Sequence, residues 1–299
     1  MVTHRLIEAE GPQKAGATVL REGTSWETAS AWRDLDWLWH GFSTRRGGVS
    51  HVYQASPAAA DSAGELNLGL TAQDSEDLVC ENRLRLLEGI TGSRRTPLRA
   101  LRQVHSNRTV VIHHPGTGWR DGSIPEADGM MTQTPGILLG IQTADCVPVL
   151  LVDVANRIVA GFHAGWRGTV QRIVELGVRR MRLEFGSNPE NMLVAIGPAI
   201  GACCYAVGDE VQVKFGENFE YGAELFRLVE GRNHQGPAFH LDLREANRRQ
   251  CVDAGIAAEA ISLVGGCTSC NPGLYFSHRA SGGHAGRMMA VIGVRPSSH

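Results

Sequence analysis

The stretch of sequence that decides the fold is ILLGIQTADCVPVLLVDVANRIVAGFHAGWRG, residues 137–168. Three short apolar runs lie within it, at residues 137–141, 147–152 and 158–162. Their length and composition are typical of buried β-strands. A polar interruption, QTADC at residues 142–146, separates the first two runs although its surroundings are apolar. We therefore predict three buried strands with a polar connection between the first two.

The third run leads into the glycine-rich sequence HAGWRG, residues 163–168, and then into a helical pattern. Apolar residues recur at three- and four-residue steps, while charged residues occupy the other face. The apolar positions are Val170, Ile173, Val174, Gly177, Val178 and Met181. A glycine-rich joint between a strand and a helix leaves backbone N–H groups free at the helix N-terminus, where an anion can bind.

The rest of the chain continues this alternation of strands and helices. Residues 77–90 have a helical pattern, and Asp242 with Glu245 forms a capping box for a helix that ends near Ala254. Further apolar runs predict strands at residues 192–196, 261–264 and 288–294. Such alternation predicts an α/β or α+β class with a mixed sheet.

No linker, internal repeat or low-complexity tract divides the 299-residue chain. We predict a single catalytic domain over residues 40–296, preceded by an N-terminal extension of residues 1–39. A chain of this length can bury about three-quarters of its surface, so it needs no disulfide or metal to fold. Residues 51–65 are rich in Ala, Ser, Asp and Pro, and we predict a mobile surface loop there.

The composition argues against several classes of function. Lys and Arg total 29 against 31 Asp and Glu, and the net charge of −2 argues against a nucleic-acid partner, which would need a basic face. No run approaches the ~20 apolar residues of a membrane helix, and the first residues lack the apolar segment of a signal peptide. Seven cysteines, an odd number, favour a reducing compartment. We therefore expect a cytoplasmic protein with no membrane partner.

Three metal-binding or nucleophilic side chains follow apolar runs: His105, Cys146 and His163. We predict that each lies at a strand end, where a side chain is held rigidly but stays open to solvent. The spacing is too long and unequal for a zinc finger, whose ligands come in close pairs. Two histidines and one cysteine match a catalytic zinc site, which leaves a fourth position for water or substrate. The same set could hold copper with a weak axial ligand.

At these residues the chain resembles the YfiH/YlmD family. The resemblance extends from His40 to Val294 and is carried by HGFSTRRGGVS, LNLGL, RQVHSNRTV, EADGMMT, TADCVPVLLVD, HAGWRGT, IGPAIGACCYAVGDEV and GRMMAVIGV. That family has been called multicopper polyphenol oxidoreductase or laccase domain, peptidoglycan-editing factor, and purine nucleoside phosphorylase. The resemblance implies a four-layer α/β/β/α sandwich with mixed sheets. It also implies a zinc ion held by His105, Cys146 and His163, and metal-dependent chemistry on adenosine, inosine and methylthioadenosine.

Phosphorolysis of a nucleoside requires phosphate to be held against the anomeric carbon, so positioning and charge neutralisation matter most. Forked guanidinium groups meet this need, and Arg45, Arg167 and Arg279 all lie in glycine- or serine-rich joints. His278, beside Arg279, is a further candidate for substrate binding. The segment around residues 277–283 lacks the second arginine and the aspartate that often follow the first arginine in the family.

Deamination of adenosine requires an activated water and an acid that carries the proton. Asp145, beside Cys146, is the candidate acid; the alternative is that it orients His105 or His163 as a neighbouring carboxylate. Ser43 and Asn67 are candidate polar groups of the pocket wall.

Other functions stay open at this point. A metal-free Cys–His hydrolase that edits peptidoglycan precursors would use Cys146 as nucleophile and His163 or His105 as base. A copper oxidase of phenols would need several coppers, yet among 12 histidines only His113 and His114 are adjacent. A binding module would sense a nucleoside or a metal without turnover.

The remaining cysteines carry weaker signals. Cys267 and Cys270 form a single CxxC, which is a weak zinc signal without a second pair, and we interpret them as a half-buried thiol pair near the site. We interpret Cys203 and Cys204 as core packing.

Overall fold

A computed structural model of the chain describes residues 17–21, 24–54, 64–114, 123–230 and 238–297. Most of the predicted loop at residues 51–65 lies outside these ranges. The strands are β1 (Ala17–Arg21), β2 (Thr24–Thr28), β3 (Leu38–Ser43), β4 (Arg46–Gly48), β5 (Gly64–Glu65), β6 (Leu98–Ala100), β7 (Thr109–Val111), β8 (Gly129–Thr132), β9 (Leu138–Thr143), β10 (Val147–Asp153), β11 (Ile158–Ala164), β12 (Met192–Ile196), β13 (Ala206–Val207), β14 (Phe226–Val229), β15 (Ala238–Leu241), β16 (Ile261–Leu263) and β17 (Met288–Val294).

The α-helices confirm most of the sequence pattern. They are α1 (Glu76–Thr91), α2 (Trp166–Val170), α3 (Ile173–Phe185), α4 (Asp209–Asn218) and α5 (Leu243–Asp253). The Asp242 side chain accepts a hydrogen bond from the backbone N–H of Glu245 at 3.0 Å, which confirms the predicted cap of α5. The single helix predicted after HAGWRG is wrong, because Arg172 has a left-handed backbone (φ 60°) that separates α2 from α3.

Two six-stranded mixed sheets form the centre of the fold. The first has the order β1-β2-β3-β17-β9-β6, and the second has the order β16-β12-β10-β11-β8-β7. Most neighbours are antiparallel, but β6 is parallel to β9, β7 to β8 and β16 to β12. This confirms the predicted mixed α/β class.

Alternation along the central strands divides the apolar side chains among three interfaces. In β17, Met289 and Val291 pack with α1, whereas Ala290 and Ile292 pack between the two sheets. In β10, Leu150 faces the interface between the sheets and Val149 faces the cluster that contains residues of α3, α4 and α5. Because each sheet is covered on both faces, the architecture is the expected four-layer α/β/β/α sandwich.

The N-terminal residues extend the first sheet. Trp26 of β2 and Trp32 are buried, and β1 and β2 continue the sheet beyond β3. The described part of the predicted N-terminal extension therefore packs on the same sheet as the catalytic domain, whose limits at residues 40–296 remain a prediction. None of the helices in the described ranges is both long enough and apolar enough to cross a membrane.

Candidate metal centre and its cavity

Cys146 and His163 come together through the pairing of β10 with β11. The antiparallel register sets Val147 opposite Ala164 and Pro148 opposite His163. Cys146 immediately precedes β10, so it lies at the end of this strand pair where His163 is the penultimate residue of β11. The thiol comes from the polar connection that interrupts the apolar runs.

His105 reaches the same place on the connection between β6 and β7, which runs from the edge of the first sheet to the edge of the second. The Gln103 side chain donates to the Gln142 carbonyl at 2.7 Å and accepts from its N–H at 2.8 Å, which fixes this connection beside β9. His105 itself has a left-handed backbone, φ 60°. The expectation of a strand end is confirmed for His163, near the end of β11, and for Cys146, directly before β10; it is corrected for His105, which lies in a connection.

The three side chains converge. Their ligand atoms all lie within 4.8 Å of one another, and Cys146 Sγ is 3.8 Å from His105 Nε2. Zinc bonds of about 2.0–2.3 Å to nitrogen and sulfur would place such atoms about 3.3–3.8 Å apart. A Cβ added to Gly165 would lie 2.9 Å from His105 Cδ2 and 3.0 Å from Cys146 Sγ, so glycine leaves the cluster its space. Donor types and spacing fit a metal ion with one coordination position left open.

Asp128 organises the cluster, and the sequence reasoning did not assign it a role. Its carboxylate accepts from His163 Nδ1 at 2.8 Å and from the backbone N–H groups of His105 and Ser106 at 3.0 and 2.6 Å. The bond to Nδ1 leaves Nε2 of His163 for a metal. Asp128 is fully buried. The signal was an acidic residue in the EADGMMT motif, directly before the apolar residues of β8.

The hydrogen bonds of the Asp145 carboxylate go to neither histidine, and its role as the acid stays a prediction. Its two carboxylate oxygens accept from Thr268 Oγ1 at 2.6 Å and from the backbone N–H of Arg279 at 2.7 Å. It therefore ties the Cys146 connection to two other loops, and the carboxylate that orients a histidine is Asp128. The positive φ of Asp145, 92°, shows that this connection is held in a strained conformation.

The cluster is electrostatically coupled. Burial raises the pKa of the Cys146 thiol, but the charge of His163 and hydrogen bonds from both imidazoles outweigh this and bring the pKa to about 6. Burial lowers the pKa of His163, but the Cys146 thiolate and Asp128 raise it to about 9. Burial also raises the pKa of Asp128, yet hydrogen bonds from His163 and Ser106 bring it to about 2. At neutral pH the sulfur is therefore a thiolate, the form that binds a metal.

A cavity of about 350 Å³ opens beside the three side chains. This volume lies within the range of small-molecule sites. Its lining residues are Leu101, Gln103, His105, Gln142, Thr143, Ala144, Cys146, His163, His278 and Arg287. Of the residues predicted to bind substrate, His278 lines this cavity. Gln142 and Arg287 line it as well and were missed, although both are close to motifs that carry the family resemblance.

Ser43 and Asn67 do not line this cavity, which corrects the expectation for both. Ser43 Oγ accepts from the backbone N–H of Met289 at 2.9 Å, and Asn67 Oδ1 accepts from that of Arg287 at 2.8 Å. Both are almost fully buried. They support the segment that carries Arg287 to the cavity.

The predicted phosphate-binding arginines are also placed elsewhere. Arg45 donates to the carbonyl of Pro272 at 2.6 Å and pairs with Glu65, and it lines a separate hollow of about 110 Å³. Arg167 is exposed and stacks on Trp166. Arg279 is exposed, donates to the Ala206 carbonyl at 2.8 Å, and stands next to His278 of the cavity wall. The guanidinium of Arg45 holds loops together outside the cavity beside the cluster, and phosphate binding by Arg45 stays a prediction.

The sequence is similar to a described family and to named proteins. Residues 39–295 match the family described as multi-copper polyphenol oxidoreductase laccase. The chain is 35% identical over 263 residues to the purine nucleoside phosphorylase YlmD of Bacillus subtilis, covering 85% of this chain and 88% of that protein. It is 37% identical over 195 residues to the adenosine deaminase RL5 of an unknown prokaryotic organism, covering 64% of this chain and 72% of that protein.

The fold is also similar to that of a solved structure. The crystal structure of YlmD from Geobacillus stearothermophilus matches with a TM-score of 0.80 at 33% identity, covering 95% of this chain and 100% of that one. On sequence and fold together, the chain belongs to the multi-copper polyphenol oxidoreductase laccase family, of the YfiH/YlmD type.

Proposed function

We propose that this protein is a zinc-dependent purine nucleoside phosphorylase that also deaminates adenosine. Adenosine, inosine and methylthioadenosine would react with phosphate to give the free base and the ribose 1-phosphate. The observation that carries the proposal is the open cluster of His105, Cys146 and His163 at the wall of a cavity large enough for a nucleoside. Relatives named for phosphorolysis and for adenosine deamination support both reactions.

The chain supplies holding and positioning groups around this cluster. A zinc ion held by His105, Cys146 and His163 would supply Lewis-acid activation of water or of a substrate oxygen. Asp128 keeps His163 in the tautomer that can bind through Nε2 and fixes the backbone of His105. These contacts are made by the folded chain itself, so they would hold both histidines in place for a metal.

Cationic and amide groups on the cavity wall would position the two substrates. The Arg287 guanidinium is held by donation from Nη1 to the Ala285 and Gly286 carbonyls, and its other nitrogens suit a contact with phosphate. The side-chain amide of Gln142 can both donate to and accept from a purine edge. In phosphorolysis a phosphate oxygen bonds to C1′ as the bond from C1′ to N9 breaks, and the purine leaves with the bond pair and a proton. The imidazole of His278, on the cavity wall, is the proposed source of that proton.

The test follows hypoxanthine release from inosine and phosphate, and inosine release from adenosine without phosphate. Protein stripped by a chelator is expected to lose both reactions and to regain them with zinc. Clear binding of inosine without release of hypoxanthine in zinc-loaded protein would contradict the proposal and favour a sensor.

One observation favours a second candidate. Asp128, His163 and Cys146 form a carboxylate–imidazole–thiolate series, the arrangement of a Cys–His hydrolase. Such an enzyme would act on peptidoglycan precursors with no metal. Zinc and nucleophilic attack compete for the same sulfur, so purified protein that holds no zinc and loses its activity on alkylation of Cys146 would favour the hydrolase.

The identity of the metal is part of the proposal. Two imidazoles and a thiolate also suit copper, which would need a weak axial ligand and would support oxidation of phenols. Elemental analysis of freshly purified protein is expected to give zinc. Stoichiometric copper, with phenol oxidation that a copper chelator abolishes, would favour the oxidase. The free thiols of the described residues agree with a reducing compartment, so we propose a cytoplasmic location.

A further inference from the structure

A second cluster of thiols lies outside the proposed active site. Cys203 and Cys204 occupy a turn before β13, and Cys267 and Cys270 begin and end the CxxC turn after β16. The sulfur atoms of all four lie within 4.8 Å of one another. Cys203 is exposed and Cys204 is half-buried, so the interpretation of this pair as core packing is wrong.

The spacing of the sulfur atoms fits a tetrahedral ion. Cys270 Sγ is 3.4 Å from Cys203 Sγ and 3.4 Å from Cys204 Sγ. Zinc–sulfur bonds of about 2.3 Å in a tetrahedron put the sulfur atoms about 3.8 Å apart. A disulfide joins only two sulfur atoms at about 2.05 Å, and it would not account for four thiols that converge on one point.

Backbone groups around the cluster favour a thiolate at Cys267. The N–H of Gly201 donates to Cys267 Sγ at 3.2 Å, and the N–H of Cys270 donates to the same sulfur. Such N–H···S bonds stabilise the negative charge that a metal-bound thiolate carries. Gly201 also leaves space, because an added Cβ would lie 3.2 Å from Cys203 Sγ and 3.3 Å from Cys267 Cβ.

We propose that Cys203, Cys204, Cys267 and Cys270 bind one zinc ion in a closed, structural site. Each thiol loses its proton on binding, and the ion joins the turn before β13 to the turn after β16. The joined turns already meet through the parallel bridge between Ala199 and Cys267. An ion at this point would join the two turns through four metal–sulfur bonds.

A single hydrogen bond links the proposed four-cysteine site to the connection that carries Cys146. Thr268, inside the CxxC turn, donates through Oγ1 to Asp145, the residue before Cys146. Asp145 in turn accepts from the backbone N–H of Arg279, beside His278 of the cavity wall. We therefore expect the four-cysteine site to set the position of the Cys146 connection without touching substrate.

Elemental analysis combined with cysteine variants tests the proposal. Full-length protein purified without added metal should hold about two zinc ions per chain if both clusters bind. Cys146→Ala and Cys270→Ser should each hold about one, and the double variant should hold none at the level of detection. Cys80→Ser is the matched control, because Cys80 is an exposed cysteine on α1 outside both clusters, and it should hold as much zinc as the parent.

Spectroscopy identifies the ligands and guards against misfolding. Cobalt-loaded Cys146→Ala should show the strong sulfur-to-metal bands of a tetrathiolate site, and Cys270→His should keep the ion through a Cys₃His set. Zinc-free Cys146→Ala with a Cys203–Cys270 or Cys204–Cys270 disulfide in its mass spectrum would overturn the proposal. So would stoichiometric iron at these thiols, which would make the site an iron centre. Absence of purine turnover in the zinc-loaded parent and in Cys80→Ser, with zinc still at the four cysteines, would count against the proposed function and leave this inference standing.

Discussion

The two cysteine-containing clusters differ in nearly every property that separates chemistry from structural support. His105, Cys146 and His163 come from distant parts of the chain, mix nitrogen with sulfur, and line a cavity. The four cysteines come from two turns, supply sulfur alone, and can close all four positions around an ion. Three ligands with one open position are typical of catalytic zinc, and four protein ligands are typical of structural zinc.

The backbone shows the same difference. His105 and Asp145, beside Cys146, have positive φ values of 60° and 92°, whereas none of the four cysteines has one. Strained backbone at the mixed cluster is maintained by the buried Asp128 and by the bonds of Asp145 to Thr268 and Arg279. The contrast indicates that the fold preorganises the open cluster, and it agrees with the structural role proposed for the four cysteines.

Removing one sulfur from each cluster should separate their roles most strongly. Cys146→Ala should lower hypoxanthine release from inosine by at least about 100-fold, because the metal loses its only anionic ligand. Cys270→Ser should lower it by less than about tenfold, through the link from Thr268 to Asp145. Initial rates at saturating substrate measure both. Equal losses would contradict the division into a catalytic and a structural site.

Neutralising the carboxylate behind the open cluster should have the next largest effect. Asp128→Asn should lower metal affinity and turnover by about 10–100-fold, because His163 and the His105 backbone lose a charged acceptor. Asp153→Asn is the matched control: Asp153 is equally buried but caps the turn between β10 and β11. Competition with a zinc chelator measures the affinity, and the hypothesis fails if both variants behave alike.

Adding a methyl group beside each cluster tests how much free space surrounds that cluster. Gly165→Ala should weaken zinc binding at the open cluster by about tenfold, since the new Cβ would contact both His105 and Cys146. Gly201→Ala should weaken the four-cysteine site less, because its nearest contacts are 3.2–3.3 Å away. Gly216→Ala, with open space around it on α4, is the control. A larger effect of Gly201→Ala than of Gly165→Ala would reverse the comparison.

Two arginines test where phosphate binds. Arg287→Ala should raise the KM for phosphate about tenfold and change adenosine deamination little, because a forked cation is lost from the cavity wall. Arg45→Ala should leave that KM unchanged and lower the free energy of unfolding by about 1–3 kcal/mol, because Glu65 and the Pro272 carbonyl lose their donor. Phosphate titrations and urea denaturation distinguish the two. A raised KM in Arg45→Ala alone would restore the original assignment.

The smallest effect is a pH dependence of the metal-free protein. Alkylation of Cys146 by iodoacetamide should rise through about pH 6, because the pKa of this thiol is depressed from 9.0 to about 6. The thiolate charge of Cys146, which stabilises the folded protein, is lost as the pH falls through about 6. The pKa of His163 is raised to about 9, so the stabilising imidazolium is lost as the pH rises through 9. Zinc should protect Cys146 while exposed Cys80 still reacts; a rise only above pH 8 would contradict the coupling.

Much of the fold could be predicted because it depends on local pattern. The apolar runs at residues 147–152 and 288–294 became the fully buried strands β10 and β17. The capping pair Asp242 and Glu245 placed the start of α5. The break between α2 and α3 could not be predicted in this way. Arg172 adopts a left-handed conformation there, and arginine is not a residue that typically marks a turn.

The site residues that could be predicted from the sequence were those of rare residue types in distinctive motifs. Two histidines and a cysteine in distinctive motifs were identified, but Asp128, the partner of His163, was not, and Asp145 was offered as an acid or as a carboxylate that orients either histidine. Neighbourhood in sequence favoured the carboxylate next to Cys146, whereas the pairing of β8 with β11 brings Asp128 to His163. Asn67 and Ser43 were misplaced for a related reason, since a polar residue in a motif can serve the backbone of another segment. The four-cysteine cluster needed two distant turns to meet.

The most direct test of the central claim is a crystal structure with anomalous data at the zinc edge, after soaking in hypoxanthine and phosphate. We expect an anomalous peak at bonding distance from His105, Cys146 and His163. Density for the ligands should lie in the adjoining cavity, next to Arg287 and Gln142. A map without a peak at these three side chains, or with both ligands bound outside that cavity, would contradict it.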